Sequence, residues 1–420
     1  MAKITNIHAR MVLDSRGVPT VEAEVTTDAG SIGRAIVPSG ASTGTHEATE
    51  LRDEGETYHG KGVTKAIANI HEIIAPALIG QDVADQQLID AILLDIDGTP
   101  QKSKLGANAT LATSLACAHA ATDGPLYNHF ASLYEILGGT HKPSLPRPMV
   151  NVLNGGVHAN SGVDIQEIMI VPVGAATFDQ AIEMITDVFH TLKKQLADQG
   201  FATTVGDEGG FAPQVTSNKA ALQLLVDAIQ SSQYQYGRDI KLALDVASSE
   251  LYTDGQYIIK SDNLRLSTDK MIEWIQDLTE QFDIISVEDG LSEDDWEGWQ
   301  ALTAKLGSHT QLVGDDLLVT NPQLLTKAIE QKAANAILIK PNQIGTVTET
   351  LQAIIIAQNA GWNTIISHRS GETEDVSIAH LAVGTGAGQI KTGSMSRGER
   401  TAKYNELLRI GEQIGFDKLA

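Results

Sequence analysis

The chain has 420 residues, of which 42% are hydrophobic and 20% are charged, and its formal net charge is −23. That length exceeds one ordinary domain, so we expect a large core domain and a smaller second one. The excess of acidic residues argues against a nucleic-acid-binding protein, because phosphate backbones require an excess of Lys and Arg.

The chain also lacks the usual signals for export or membrane insertion. No apolar run approaches the roughly 18 residues that a membrane-spanning helix requires. The first residues contain no continuous apolar stretch after the basic ones, so we expect no secretory signal and a cytoplasmic location. The single Cys117 excludes an internal disulfide, and its Ala-rich surroundings predict a small buried side chain in a reducing compartment.

Residues 1–137 are predicted to form an α+β cap domain. The alternating stretches 1–16 and 20–30 predict a strand hairpin. Periodic apolar positions predict helices at 62–80, 83–96 and 106–121. A turn-rich segment with three prolines, 138–148, then predicts a linker at the start of a second domain, 138–420.

In that second domain, short apolar runs alternate with amphipathic stretches of about a dozen residues, which predicts the βα alternation of a parallel sheet. The runs end at charged residues, namely Asp245, Glu288, Asp315, Lys340, His368 and Lys391. From Glu288 onward these ends are 27, 25, 28 and 23 residues apart, close to one βα unit each. The earlier intervals, through Glu167 and Glu208, are longer and leave room for insertions. Because charged strand ends gather on the catalytic rim of a barrel, we expect an α/β protein with a TIM-like (β/α)8-type barrel.

Three acidic residues, Asp245, Glu288 and Asp315, are predicted to end three consecutive strands. Without a cation they would repel one another, and an octahedral Mg²⁺ with oxygen ligands relieves that repulsion. Taken singly, each has the ordinary explanation that it caps the following helix. Three consecutive strand ends favour the metal site.

Further along the same rim, the sequence places Lys340, His368 with Arg369, and Lys391. We expect nearby metal ions and other cations to lower the pKa of Lys340, which would make it a usable base. Glu208, in a glycine-rich segment, is a candidate acid, although that segment alone is equally typical of a turn. Metal ions with a lysine base suit removal of a proton from a carbon atom beside a carboxylate.

Seven segments of the chain form specific motifs in a fixed order: VPSGASTG (37–44), LNGGVHA (153–159), VGDEGGFAP (205–213), LDVASSE (244–250), SVEDGLSEDDW (286–296), LIKPNQIGT (338–346) and SHRSGETED (367–375). These motifs resemble those of the enolase family, and the resemblance extends over residues 4–410. The resemblance implies an enolase that interconverts 2-phosphoglycerate and phosphoenolpyruvate in glycolysis and uses two Mg²⁺ ions per site, the second arriving with substrate. It also implies a homodimer or a larger homo-oligomer.

The resemblance implies roles for individual residues. Lys340 resembles the base for the C2 proton, and Glu208 the acid that helps the C3 hydroxyl to leave. Asp245, Glu288 and Asp315 resemble the ligands of the first metal, and Ser39 resembles a ligand of the second. The residues that would bind substrate are Ala41, Ser42, His158, Gln166, Glu167, His368, Arg369, Ser370 and Lys391. Of these, Arg369 and Ser370 would hold the phosphate, and Lys391 the substrate carboxylate.

Other interpretations stay open. Another enolase-superfamily enzyme that dehydrates or racemises sugar acids would keep the fold, but the phosphate-binding residues and the long SGASTG loop favour the first interpretation. A surface-displayed or secreted binder of host extracellular proteins is the non-enzymatic alternative, and no export signal favours it. Pro341, Arg147 and Thr45 are atypical of the family, and we expect them to affect loop closure or rate rather than metal binding.

Overall fold

The computed structural model describes residues 2–41, 44–122, 124–156, 159 and 161–420. It contains a three-stranded sheet with helices in the N-terminal part and a closed eight-stranded barrel in the rest of the chain. The predicted fold class is therefore confirmed.

The N-terminal sheet is an antiparallel meander. Its strands are β1 (Ile4–Leu13), β2 (Pro19–Thr27) and β3 (Ile32–Ile36), paired in the order β1-β2-β3. Between β1 and β2, the Asp14 carboxylate accepts hydrogen bonds from the backbone N–H groups of Arg16 and Val18, which closes the turn. The predicted hairpin is confirmed.

Helices pack against this sheet and connect it to the barrel. They are α1 (Thr64–Asn69), which continues through a π-helical turn (Ile70–Ile74) into α2 (Ala75–Leu78), then α3 (Gln86–Asp97), α4 (Ala107–Ala120) and α5 (Leu126–Ile136). Helix α4 lies very close to the sheet, because both contacting residues are small. A Cβ on Gly33 of β3 would lie only 2.1 Å from the carbonyl oxygen of Ala116 in α4. Cys117 is fully buried in this helix, as predicted.

The barrel closes in the order β10-β11-β12-β13-β14-β4-β5-β6. Its strands are β4 (Arg147–Asn154), β5 (Glu167–Val171), β6 (Lys241–Asp245), β10 (Ile284–Glu288), β11 (Gln311–Gly314), β12 (Ala336–Ile339), β13 (Asn363–Ser367) and β14 (Gly388–Lys391). The prediction of an all-parallel sheet is wrong for β5, which runs antiparallel to both of its neighbours. Among the described residues between β4 and β5 there is no crossover helix, and parallel pairing of consecutive strands requires such a crossover.

The remaining helices surround the barrel. They are α6 (Phe178–Asp198), α7 (Asn218–Gln230), α8 (Thr268–Gln281), α9 (Trp296–Leu306), α10 (Pro322–Gln331), α11 (Pro341–Ile344), α12 (Val347–Asn359), α13 (Ser377–Gly384) and α14 (Gly398–Ile414). The long interval between Asp245 and Glu288 holds an inserted meander of β7 (Tyr252–Thr253), β8 (Gln256–Ile259) and β9 (Leu264–Leu266). The expected insertion is confirmed.

The N-terminal part sits on the barrel through α4 and α5. In α4, the Thr110 hydroxyl donates to the carbonyl oxygen of Gly345 at 2.9 Å, and α5 packs against α13. The division at residues 137 and 138 stays a prediction, since α5 precedes it and nevertheless packs on the barrel. Among the described residues, no helix is both long enough and apolar enough to cross a membrane.

Candidate active site

Several carboxylates are buried at the mouth of the barrel, among them Glu167, Asp245, Glu288 and Asp315. In the sheet register Glu167 lies beside Asp245, and Asp245 lies beside Glu288. Asp315 directly follows β11, the next strand around the barrel. Although β5 is reversed, Glu167 still reaches the mouth because it begins that strand rather than ending it.

Lys391, at the end of β14, neutralises part of this charge. Its Nζ lies 3.0 Å from Glu167 and Asp245 and 2.9 Å from Glu288. Burial alone would lower the pKa of Lys391, but these carboxylates raise it well above its ordinary value, so the amine stays protonated. Burial and the charge of Asp245 raise the pKa of Glu288. Gln166 adds one further donor, from its amide nitrogen to Asp245 Oδ2 at 3.3 Å.

Lys340 follows β12 and faces Asp315, with 2.5 Å between Nζ and Oδ2. Burial lowers the pKa of Lys340, but Asp315 more than offsets this, so the pKa lies above its ordinary value. This direction is opposite to the one expected from the sequence. The cause is the close carboxylate, which the sequence argument did not pair with this lysine.

The backbone of Lys340 is held by a strained turn. Its N–H donates to the hydroxyl of Thr320 at 2.9 Å, and that hydroxyl donates to Gln343 Oε1 at 2.8 Å. Thr320 and the preceding Val319 both have positive φ angles, of 55° and 43°. Such a conformation is costly for β-branched residues and persists where the surrounding structure enforces it.

Glu208 lies in the turn that precedes α7 and faces His368. Glu208 Oε2 accepts a hydrogen bond from Asn151 Nδ2 at 3.0 Å, and Oε1 lies 3.5 Å from His368 Nε2. Because the Arg400 guanidinium can only donate, its 2.6 Å contact makes His368 Nδ1 an acceptor and places the ring proton on Nε2. Burial lowers the pKa of His368 to about 3, so the imidazole is neutral near pH 7.

Gly209 permits the turn that carries Glu208. It has a φ of 86°, and a Cβ there would lie 2.6 Å from the carbonyl oxygen of Ser396. This turn therefore has no room for a side chain at residue 209, because the protein's own backbone lies so close.

Arg369 and Ser370 follow β13 at the same mouth. The Arg369 guanidinium binds the Glu47 carboxylate through two hydrogen bonds, of 2.8 and 3.2 Å. The Ser370 hydroxyl accepts the backbone N–H of Ala41 at 2.7 Å, which joins the loop after β3 to the barrel.

Ser39 belongs to a different network. Its hydroxyl donates to Asp14 Oδ2 at 3.0 Å and accepts from Arg16 Nη2 at 2.9 Å. The predicted site residues Ser42 and His158 lie outside the described residues.

One buried cavity of about 20 Å³ joins most of the predicted site residues. Its lining is Gln166, Glu167, Glu208, Asp245, Lys340, Ser367, His368, Arg369, Ser370 and Lys391. Of these, only Ser367 was not predicted to belong to the site. The candidate acid and the candidate base therefore face the same small space, next to a cluster of carboxylates.

Comparison with protein families agrees with this geometry. The model described as the C-terminal TIM barrel domain of enolase matches residues 142–419, and the model of the N-terminal domain of enolase matches residues 4–130. The chain belongs to the enolase family. Members of this family typically bind Mg²⁺, and the family suggests a hydro-lyase.

The enolase-family barrel contains one acidic group of metal-binding geometry among the described residues: Asp289, Asp315 and Asp316. It shares only Asp315 with the predicted ligands. The carboxylate of Asp289 already accepts the backbone N–H groups of Asp315 at 3.0 Å and Asp316 at 2.9 Å. Burial and the charge of Asp315 raise the pKa of Asp316 to about 8.

Sequence reasoning missed several residues that position this enolase-family site. Asp289 and Asp316 directly follow predicted ligands in the chain, and that adjacency was a usable signal. Glu47, Thr320 and Arg400 had no such signal, since each meets the site only through the folded chain.

Of the three atypical residues, Pro341 begins α11, where a backbone N–H is not needed. Arg147 donates to the carbonyl oxygens of Pro172 and Ala420, away from the mouth. The hydroxyl of Thr45 donates to Glu293 at 2.7 Å, so this residue does connect the loop after β3 to the barrel.

Proposed function

We propose that this enolase-family chain is a cytoplasmic glycolytic enolase that reversibly dehydrates 2-phosphoglycerate to phosphoenolpyruvate. The observation that carries the proposal is the shared cavity, because Lys340 and Glu208 line it together with Arg369 and Lys391. A base, an acid and two anion-binding cations are what an elimination from a phosphorylated carboxylate requires.

The donor set at the mouth fits a hard divalent cation. Asp245, Glu288 and Asp315 offer only carboxylate oxygens, which Mg²⁺ prefers. Their burial, and the raised pKa of Glu288, mean that a cation would relieve repulsion that Lys391 only partly offsets. When bound there, Mg²⁺ would supply electrostatic stabilisation for the negative charge that develops on the substrate.

In the proposed reaction the unprotonated Lys340 Nζ accepts the C2 proton. Asp315 keeps that amine protonated in this arrangement. If the Asp315 carboxylate binds Mg²⁺ instead, it would no longer stabilise the protonated amine, and the pKa of Lys340 would fall. Glu208 then gives a proton to the departing C3 hydroxyl. Neutral His368, held by Arg400, places its Nε2–H 3.5 Å from Glu208, and the Asn151 amide orients that carboxylate by donating to Oε2.

The remaining groups bind substrate. Arg369 and Ser370 would hold the phosphate, and Lys391 would hold the substrate carboxylate after leaving one of its protein partners. The cavity of about 20 Å³ has room for roughly one water molecule. Substrate binding must therefore separate some of the ion pairs that now fill the mouth. Gln166, Glu167, Ala41, Ser42 and His158 complete the proposed pocket.

The proposed ligand of the second Mg²⁺ can be tested within one loop. The Ser39 hydroxyl is engaged by Asp14 and Arg16, so metal binding would require it to leave both. Ser39→Ala and Ser42→Ala should be compared by the Mg²⁺ concentration that half-saturates turnover. A higher requirement in Ser39→Ala alone supports its role, and a change confined to Ser42→Ala would transfer the role to Ser42.

The first metal site has a direct competitor in the acidic group around Asp289. Titration calorimetry with Mg²⁺ should show strongly weakened binding for Asp245→Asn and near-normal binding for Asp316→Asn. The reverse pattern would assign the ion to Asp289, Asp315 and Asp316 instead.

The activity itself is tested by the absorbance change of 2-phosphoglycerate conversion. We expect turnover that requires Mg²⁺, stops with EDTA and returns with excess Mg²⁺. Lys340→Ala provides the inactive background, and Lys305→Ala, an exposed lysine on α9, provides the matched control. Turnover of non-phosphorylated sugar acids without turnover of 2-phosphoglycerate would favour the alternative superfamily activity. Homo-oligomer formation and a surface role towards host proteins stay predictions.

A further inference from the structure

The guanidinium that is proposed to bind the substrate phosphate is already bound by a carboxylate of the protein. Arg369 Nη1 lies 2.8 Å from Glu47 Oε2, and Nη2 lies 3.2 Å from Oε1, which is the paired geometry that Arg also forms with phosphate. The side chains of Arg369 and Glu47 are only 2% and 9% exposed. The pair is therefore shielded from water, and Glu47 accepts from both terminal nitrogens of Arg369 in the manner of an anionic ligand, while Nη1 also donates to Asn342 at 3.3 Å.

Glu47 also connects this guanidinium to a loop and to the barrel mouth. Its Oε1 accepts the backbone N–H of Gly44 at 3.1 Å, within the loop that follows β3. The same oxygen accepts a hydrogen bond from Gln343 Nε2 at 3.2 Å, and Gln343 donates from that nitrogen to Asp315 at 2.9 Å. Movement of Glu47 would thus change contacts of the loop and of a proposed metal ligand.

The structure provides room for Glu47 to move. The cavity that contains Arg369 holds about 20 Å³. Glu47 also lines a second cavity of about 300 Å³, together with Gly44, Thr49 and Asn342. A side chain displaced from Arg369 can enter this larger space without repacking the core.

We propose that Glu47 is an internal competitor for the anion that Arg369 binds, so that phosphate binding and release of the loop at residues 44–47 are one coupled event. This inference rests on the proposed role of Arg369. The Glu47 carboxylate lies on the Nη1–Nη2 edge of the guanidinium, so a substrate phosphate that binds this edge must displace it. Displacement also frees the Gly44 N–H, while the contact between Thr45 and Glu293 keeps the loop attached to the barrel.

The competition is tested by titration calorimetry of the metal-free protein with inorganic phosphate. Glu47→Gln removes the competing charge, and we expect phosphate to bind about tenfold tighter than in the wild type. Glu293→Gln is the matched control, because it removes the same charge from the loop's other attachment without touching Arg369. We expect it to change phosphate affinity by less than about twofold. Unchanged or weaker binding in Glu47→Gln would overturn the inference.

Arg369→Lys separates this inference from the proposed function. It keeps the charge but loses the paired donors, so phosphate binding should weaken markedly. If phosphate binding survives unchanged in Arg369→Lys, the proposed role of Arg369 fails. If it weakens there while Glu47→Gln has no effect, only the competition fails.

A measurement on the wild type keeps the test independent of variant folding. Adding phosphate should speed hydrogen exchange of the backbone amides at residues 44–49, because Glu47 and the Gly44 N–H are released together. Slower or unchanged exchange in that segment would show that phosphate binds without displacing Glu47.

Discussion

The inward-facing residues of the barrel differ sharply between its middle and its mouth. Residues two apart on a strand lie on the same face. On β5 the inward-facing Met169 lies in the middle and Glu167 lies at the mouth, and on β6 Ala243 and Asp245 are arranged in the same way. The middle contains an apolar cluster, in which Met149, Met169, Val171, Ala243, Val313, Ala336, Leu338 and Ile365 pack together. The mouth layer is charged and equally buried.

The two layers of the barrel are therefore stabilised in different ways. The middle layer is stabilised by removing apolar surface from water, and no ligand is needed. The mouth layer holds charges whose burial is unfavourable unless each has a partner. We therefore expect the mouth to respond to cations, anions and pH, and the middle layer to respond only to packing.

The largest effect on stability is expected at Lys391. Lys391→Met leaves Glu167, Asp245 and Glu288 without their shared cation, which should lower the free energy of unfolding by about 3–5 kcal/mol. Saturating Mg²⁺ should restore more stability to this variant than to the wild type, since binding to the native state adds to its stability. Urea unfolding with and without Mg²⁺ measures both effects. Equal gains in the two proteins would mean that these carboxylates do not take up the ion.

The middle layer provides the contrasting variant. Ile365→Ala should lower the free energy of unfolding by about 2–5 kcal/mol, because it leaves a cavity among buried side chains. Mg²⁺ affinity should stay unchanged, as should the stability gained from Mg²⁺. A loss of Mg²⁺ affinity equal to that of Asp245→Asn would show that the two layers are not independent.

A buried carboxylate outside the barrel tests the pH response. Asp90 in α3 accepts the backbone N–H of Thr348 at 2.8 Å, and burial raises its pKa from 3.8 to about 6. Because the folded-state pKa is higher than the unfolded value, the native state binds more protons between these pH values. The Asp90 contribution therefore decreases stability as the pH rises from about 4 to 7, by up to about 3 kcal/mol.

Asp90→Asn isolates that contribution, since the amide does not titrate. Between these pH values the wild type should lose about 3 kcal/mol more stability than the variant, as measured by urea unfolding at several pH values. Identical pH profiles would mean that Asp90 keeps an ordinary pKa in the folded protein.

The smallest of these effects is expected at Thr320, which positions Lys340 without reaching the cavity lining. Thr320→Val removes the acceptor for the Lys340 N–H, and we expect kcat to fall about tenfold with KM unchanged. Thr320→Ser keeps the hydroxyl and should recover most of the rate. Equal losses in both variants would point to backbone strain rather than to the hydrogen bond.

The sequence was sufficient for the features that follow from local periodicity. Parallel strands align their carboxyl ends, so the runs ending at Asp245, Glu288 and Lys391 predicted a charged mouth correctly. Apolar periodicity predicted the helical regions at 62–80, 83–96 and 106–121, and the long interval after Asp245 predicted the insertion, whereas α5 was not predicted. The reversal of β5 was missed, because a short strand has the same pattern in either direction.

The pairing of charges could not be read from the sequence. Lys340 with Asp315, and Arg369 with Glu47, are partners only because the barrel closes and the N-terminal part docks on it. Glu47 and Arg369 are 322 residues apart in the chain. The pairing with Asp315 raises the pKa of Lys340, whereas the lowering expected from the sequence depends on bound metal ions and stays a prediction.

In the proposed reaction Lys340 removes a proton from carbon and Glu208 acts afterwards. The most direct test follows exchange of the C2 hydrogen of 2-phosphoglycerate with deuterated solvent by NMR. We expect Lys340→Ala to abolish exchange, and Glu208→Gln to retain exchange and lose dehydration. Exchange that persists in Lys340→Ala would contradict the proposed reaction, because another group would then be the base.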